Sequence, residues 1–301
     1  MKKLKYIIVS LTVFIFISCE KTLDMDIPDG EHKIVINSLF SDADSSILVH
    51  VSKSLHVLDK SDQLNLPGAK VKLYENNSFV ASLDSIGDGL FSLESIVMEH
   101  GRKYEIEVSC QGLTTARASN TIPQKIAIES IDTLSVTRYQ SNLIECRMKI
   151  NDPGSVKNFY IVRAMSFSFD EYDEYEYPAS LISDDPVVEE YLEWGDNGFV
   201  FSDELINGKN YELIFYMDKW AVSSWSGNPV FITFILESVS EEYYKYAISY
   251  SRHQASRNNP FAEPVQVFCN VENGFGIFAG YSADFKIIPF LGYTDDGIYM
   301  E

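Results

Sequence analysis

Cysteine is scarce in this chain and basic residues are few. Four cysteines, Cys19, Cys110, Cys146 and Cys269, stand among 301 residues, too few for a disulfide framework to staple the fold. The last three are widely spaced and odd in number, so they allow one bridge at most and favour burial as small apolar side chains. Lysine and arginine total 24 against 44 aspartates and glutamates, a net charge of −20. So acidic a surface repels phosphate backbones, and no basic cluster offsets it, which argues against nucleic-acid partners and against electrostatic adhesion to anionic lipid. Neither H-E-x-x-H nor G-x-S-x-G occurs, and His32, His50, His56, His100 and His253 show no paired metal-ligand spacing. Zinc, serine-hydrolase and cysteine-nucleophile chemistry therefore lack local support. Triads and carboxylate pairs assembled from distant residues leave no such trace.

Long apolar runs are also missing, with one exception at the start. Lys2, Lys3 and Lys5 precede twelve apolar-rich residues, 6–17, and then Phe16-Ile17-Ser18-Cys19. At about 1.5 Å per residue this run falls short of a hydrocarbon core of roughly 30 Å, so it reads as a removable leader. Small Ser18 directly before Cys19 is what lipoprotein processing requires. Residues 1–18 are expected to be the signal, Cys19 the lipidated residue, and 19–30 a tether to the outer membrane. Lys21 followed by Asp24 and Asp26 resembles the signal that sends some Bacteroidota lipoproteins to the cell exterior. Removing the leader lysines takes the net charge to −23.

The chain beyond the leader is apolar enough to fold: 46% of all residues are hydrophobic and 13% aromatic. Two domains are expected, both mainly β. Residues 33–39, 47–51, 69–74, 89–93 and 103–108 read as short strands, with Pro67-Gly68 and Asp88-Gly89 as turns. Strict alternation in Lys70-Val71-Lys72-Leu73-Tyr74 gives one buried and one wet face, so residues 31–123 are expected to form a β-sandwich. A larger β-rich domain is expected over 124–301, with strands at 126–134, 142–150, 159–169, 211–217 and 231–236. Asn207-Gly208 and Asn273-Gly274 read as turns. One helix is expected near 240–251: Ser240 caps it, Glu241 and Glu242 favour its first turn, and Tyr243, Ala247 and Tyr250 share a face.

Two resemblances add to this. Gly68-Ala69-Lys70-Val71, Asp88-Gly89-Leu90-Phe91 and Gly101-Arg102-Lys103-Tyr104-Glu105-Ile106 come in the order of the immunoglobulin-like carboxypeptidase-regulatory module, which they resemble over about sixty residues; that module is usually non-catalytic. Asn151-Asp152-Pro153, Asn158-Phe159-Tyr160, Phe201-Ser202-Asp203, Asn207-Gly208-Lys209, Asn259-Pro260-Phe261-Ala262-Glu263-Pro264 and Asn270-Val271-Glu272-Asn273-Gly274-Phe275-Gly276 resemble the Bacteroidota lipoprotein family catalogued as domain-of-unknown-function family 4249. That resemblance spans nearly all of the chain after the leader. It implies an envelope lipoprotein of a kind often encoded beside TonB-dependent outer-membrane transporters, and no known enzyme activity.

Several constellations invite function. Residues 170–204 hold thirteen acids, no lysine or arginine, and interleaved Tyr172, Tyr175, Tyr177, Tyr191 and Trp194. The aromatics argue for a folded insertion or a contact surface over a disordered linker. Glu171, Asp173, Glu174, Glu176 and Trp194 are the candidate contacts, with a solvated face as the plain alternative. Asp196 and Asn197 offer oxygen ligands for calcium, although no EF-hand alternation surrounds them; no other cofactor is indicated. Gly274-Phe275-Gly276 is read as a packed strand or bulge rather than a dinucleotide loop, since its glycines alternate with apolar residues. The prolines around Phe261 are expected to end the helix and fix its loop, with a ligand or transporter contact as the sharper alternative. Asp84-Ser85-Ile86 and Asp132-Thr133-Leu134 resemble an O-glycosylation acceptor of this bacterial group, at Ser85 and Thr133.

The expected function is a non-enzymatic, surface-exposed outer-membrane lipoprotein that captures or helps admit a nutrient at a TonB-dependent transporter barrel. A structural or adhesive surface protein is the competing class, and a glycan-active hydrolase ranks third.

Overall fold

The computed structural model describes residues 31–55, 64–138, 140–169, 173–192, 197–223, 228–257, 259, 261–290, 293–294 and 297–298. The expected leader, the tether and Cys19 lie outside them. The N-terminal strands are β1 (Ile34–Ser41), β2 (Ser46–Lys53), β3 (Lys70–Glu75), β4 (Ser78–Ser82), β5 (Asp84–Gly87), β6 (Leu90–Glu94), β7 (Lys103–Ser109) and β8 (Ala116–Thr121). They form two layers, β5-β6-β2-β1 and β4-β3-β7-β8. Alternate residues point inward, including Ile34 and Ile36 from the first layer and Val71, Leu73, Tyr104 and Ile106 from the second. Phe40 packs edge-on to Tyr104, with ring centroids 5.7 Å apart. The tight turns sit where left-handed backbone is needed, at Asn76-Asn77 and Asp88-Gly89, all with positive φ.

The second set comprises β9 (Ile128–Arg138), β10 (Ser141–Asn151), β11 (Phe159–Phe169), β12 (Glu174–Pro178), β13 (Leu181–Ile182), β14 (Glu190–Leu192), β15 (Gly198–Ser202), β16 (Asn210–Asp218), β17 (Val230–Val239) and β18 (Gly274–Phe290). One layer runs β13-β16-β10-β9, and the other β14-β15-β11-β17-β18, with β12 also paired to β11. Their core is rich in aromatics: Phe199, Phe201, Phe215 and Phe234 are fully buried in it. Among the described residues the mainly β reading with one α-helix holds.

Strand β18 joins the two halves. Its first part pairs in parallel with β1, from Ile34↔Gly274 to Ser41↔Tyr281. Its second part pairs antiparallel with β17, from Val239↔Tyr281 to Val230↔Phe290. Phe278 enters the N-terminal core and Phe290 the C-terminal one. The expected boundary near Pro123 therefore lies between two cores, while a single ten-stranded sheet crosses it.

Helix α1 (Glu241–Arg257) lies on the outer face of this sheet. The Tyr243 N–H donates to the Ser240 hydroxyl at 3.3 Å, the expected cap. Tyr243 and Ala247 pack on Phe159, Ile161, Val239, Ile277 and Ala279. The helix runs past the expected end near residue 251, because Ser251, Arg252 and Gln254 carry no breaker and Arg257 suits its last turn.

Candidate functional site

The outer face of the large sheet is only partly covered. Helix α1 shields the part built by Phe159, Ile161, Val239, Ile277 and Ala279. Further along the same strands, no layer lies over the face among the described residues. There β11 contributes Met165, Phe167 and Phe169; β17 presents Thr233 and Phe231 opposite Met165 and Phe167, and Ile235 opposite Arg163; and β18 adds Phe285, Ile287 and Pro289 in register with β17. Phe169 stacks on Phe231 with centroids 6.4 Å apart and planes 17° apart. Phe285 keeps 62% and Ile287 54% of its surface in water. So many large apolar side chains sharing one uncovered face are unusual for a monomer.

The candidate acids border this face. On β12, Glu174 stands opposite Phe169 and Glu176 opposite Phe167, so both project to the same side as the phenylalanines. Tyr175 and Tyr177 pair with Ser168 and Ser166 and point to the other side. Asp173 precedes the strand and is exposed. Glu171 and Trp194 lie outside the described residues. Phe261 is elsewhere, in the loop after α1, where its N–H donates to Asn259 Oδ1 and the residue is 96% exposed.

Other acids of the 170–204 segment serve the scaffold one by one. Asp184 pairs with Arg138 and Glu190 with Arg252. Asp185 accepts from the Tyr211 hydroxyl at 2.5 Å and from the backbone of Ile214. Glu189 accepts from both the hydroxyl and the N–H of Ser202. The segment is thus a run of separate structural contacts with an acidic rim at β12.

The family-like motifs around Asp152 and Asp203 converge on one buried knot. Asp152 accepts from the Tyr160 hydroxyl at 2.5 Å, from Asn158 Nδ2 at 3.2 Å and from the Gly208 N–H at 2.9 Å. Asp203 accepts from the Asn158 N–H at 2.9 Å and from Asn207 Nδ2 at 3.2 Å. Burial pushes the Asp203 carboxyl above its ordinary value, and burial followed by the bond to Asp152 pushes the Tyr160 hydroxyl up. These bonds tie the end of β10 to the starts of β11 and β16, a structural role.

No group of three or more histidines, cysteines or acids comes together for a metal among the described residues. Asn197 Nδ2 donates to Pro178 O at 3.4 Å, and Asp196 lies outside the described residues. Cys146 is buried, its thiol pushed up by burial; Cys110 and Cys269 are half-buried, and all three are free thiols. Ser85 is exposed on β5 and Thr133 is half-buried on β9. Gly276 has φ +104°, and a Cβ there would collide with the Ile36 carbonyl, so the glycine motif serves close strand packing.

The acidic rim was legible in the sequence and the apolar face was not. Its signal lies in β17: Val230-Phe231-Ile232-Thr233-Phe234-Ile235-Leu236 is apolar on both faces, the pattern of a doubly covered strand.

A family model described as Domain of unknown function (DUF4249) matches residues 20–287. The chain belongs to this family. None of the curated proteins matches it.

Proposed function

We propose that this DUF4249 member is a non-enzymatic lipoprotein, held at the outer membrane through Cys19, that serves a TonB-dependent uptake system by docking on its barrel. One observation carries the proposal: the bare face of β11, β17 and β18, apolar at its centre and edged by Glu174 and Glu176. Such a face matches a protein surface with an apolar strip and a basic rim. A second copy of this chain fits poorly, since it would bring acid against acid on a protein of net charge −20. Anionic lipid is disfavoured for the same reason. With no helix long and apolar enough to cross a membrane among the described residues, a role in uptake would be exercised through a partner. The immunoglobulin-like resemblance of the N-terminal half fits a spacing module between tether and docking face.

Pull-down from native membranes in mild detergent tests this. An outer-membrane barrel should be enriched over a control lipoprotein and lost with Phe285→Ser plus Ile287→Ser. Glu174→Lys with Glu176→Lys should weaken capture, and the wild-type interaction should weaken with added salt. If no barrel is enriched, the uptake reading fails and a structural or adhesive role takes its place.

A further inference from the structure

A groove of about 320 Å³ opens between the C-terminal half of α1, β1 and the start of β18. Tyr246 and Tyr250, one helical turn apart, stack with centroids 5.7 Å apart and planes 14° apart. Phe275 lines the groove from β18, 45% exposed, and the missing side chain of neighbouring Gly276 lets the strand pass close to Ile36 in unbroken register. Asn37, His253 and Gln254 supply polar groups. The His253 ring is held through Nδ1 against Val265 O at 2.7 Å.

The electrostatics run against the rest of the molecule. In a chain with 44 acids, no carboxylate lines this groove among the described residues. Of seven arginines, six are paired with carboxylates, and Arg257 alone has no such partner among the described residues. Its Nη1 donates to Gln254 Oε1 at 3.1 Å, and Gln254 Nε2 donates in turn to the Tyr250 hydroxyl at 2.8 Å. This relay links the guanidinium to the Tyr250 hydroxyl and, among the described residues, occupies one of its five N–H donors. Lys33 Nζ lies 5.3 Å from the Phe275 ring centroid, adding a second positive charge.

We propose that this groove binds a carboxylate-bearing ring, its face stacked on the aromatic wall and its carboxylate on Arg257. Aromatic acids and acidic sugars share that chemistry. Aromatic faces fix a flat or CH-rich ring, and a guanidinium meets a carboxylate through two parallel hydrogen bonds. The groove lies on the helix-covered part of the sheet, apart from the docking face.

Binding is measured by calorimetry on the full-length protein in detergent, with no partner present, so its outcome stands apart from the docking proposal. The probes are 4-coumarate and digalacturonate, each against its neutral methyl ester. At least one acid should bind about tenfold tighter than its ester, consistent with a charge-assisted hydrogen bond, and the one that does identifies the source. Arg257→Gln should abolish the preference, and Phe275→Ala should weaken acid and ester alike, both at an unchanged melting temperature. Equal binding of acid and ester, or a preference that survives Arg257→Gln, overturns the proposal.

Discussion

Asn270 pairs its side chain with both backbone groups of Phe278: its Nδ2 donates to Phe278 O at 2.8 Å, and its Oδ1 accepts from Phe278 N at 3.0 Å. Strand β17 ends at Val239, so among the described residues no strand pairs along this edge of β18, and amide side chains take the strand's place. Asn120 continues the cover, accepting from the Gly280 N–H at 2.9 Å, while the Ser240 N–H reaches Gly280 O. Buried backbone groups left unpaired are costly. Asn270→Ala should therefore cost about 1–3 kcal/mol, read as a lower urea midpoint, and Asn270→Asp should also destabilise because it keeps the acceptor and loses the donor.

Gly276→Ala should be among the costliest conservative changes in the chain. It places a Cβ against the Ile36 carbonyl at φ +104°, for about 3 kcal/mol of strain. Gly68→Ala, with open space around it and no positive φ, should stay within about 0.5 kcal/mol of wild type. Equal effects in thermal melts would refute the assigned close contact.

Acid should weaken the N-terminal sandwich through Glu107. Arg117 at 2.5 Å and Lys72 at 3.2 Å hold its carboxyl below the ordinary value of 4.5. A depressed carboxylate stabilises the fold above its unfolded pKa, and that contribution is lost as pH falls through the lower folded value. Glu107→Gln should flatten this acid limb in pH-resolved denaturation and leave the slope near neutrality unchanged.

The Asp152 knot should behave as a unit. Tyr160→Phe removes one donor from a buried carboxylate, for about 1–3 kcal/mol. Combined with Asp152→Asn, it should show a coupling of about 0.5–3 kcal/mol in a double-mutant cycle. Strict additivity would mean that the bond carries no stability.

Cys19→Ser should abolish acyl labelling and release the protein from the membrane fraction. Persistent labelling of the variant would rule out lipidation at this residue.

Strands whose alternation is strict were legible from sequence, among them residues 70–75 and 103–109, because period-two burial writes itself into residue choice. Ala116–Thr121 carries no strand signal in the sequence, since its buried positions are Ala116, Ala118 and Asn120, small or polar residues. Glu174–Pro178 was read for its charge and not as a strand: its Glu-Tyr alternation resembles a solvated face, and only pairing with β11 makes it one edge of a sheet. Each acid between 170 and 204 looks alike in sequence. What separates Asp185 from Glu174 is a partner supplied by β16, which no local pattern encodes.

The placement of β18 also sets the order of assembly. Ile34 finds its neighbour in Gly274, and both cores wait for side chains from the same late strand, Phe278 for one and Phe290 for the other. Neither half can close before β18 has been made, and pairings this distant in sequence form slowly. A nascent chain wired in this way keeps both cores open until this strand emerges, and with them the edges of β1 and β17 that it will cover.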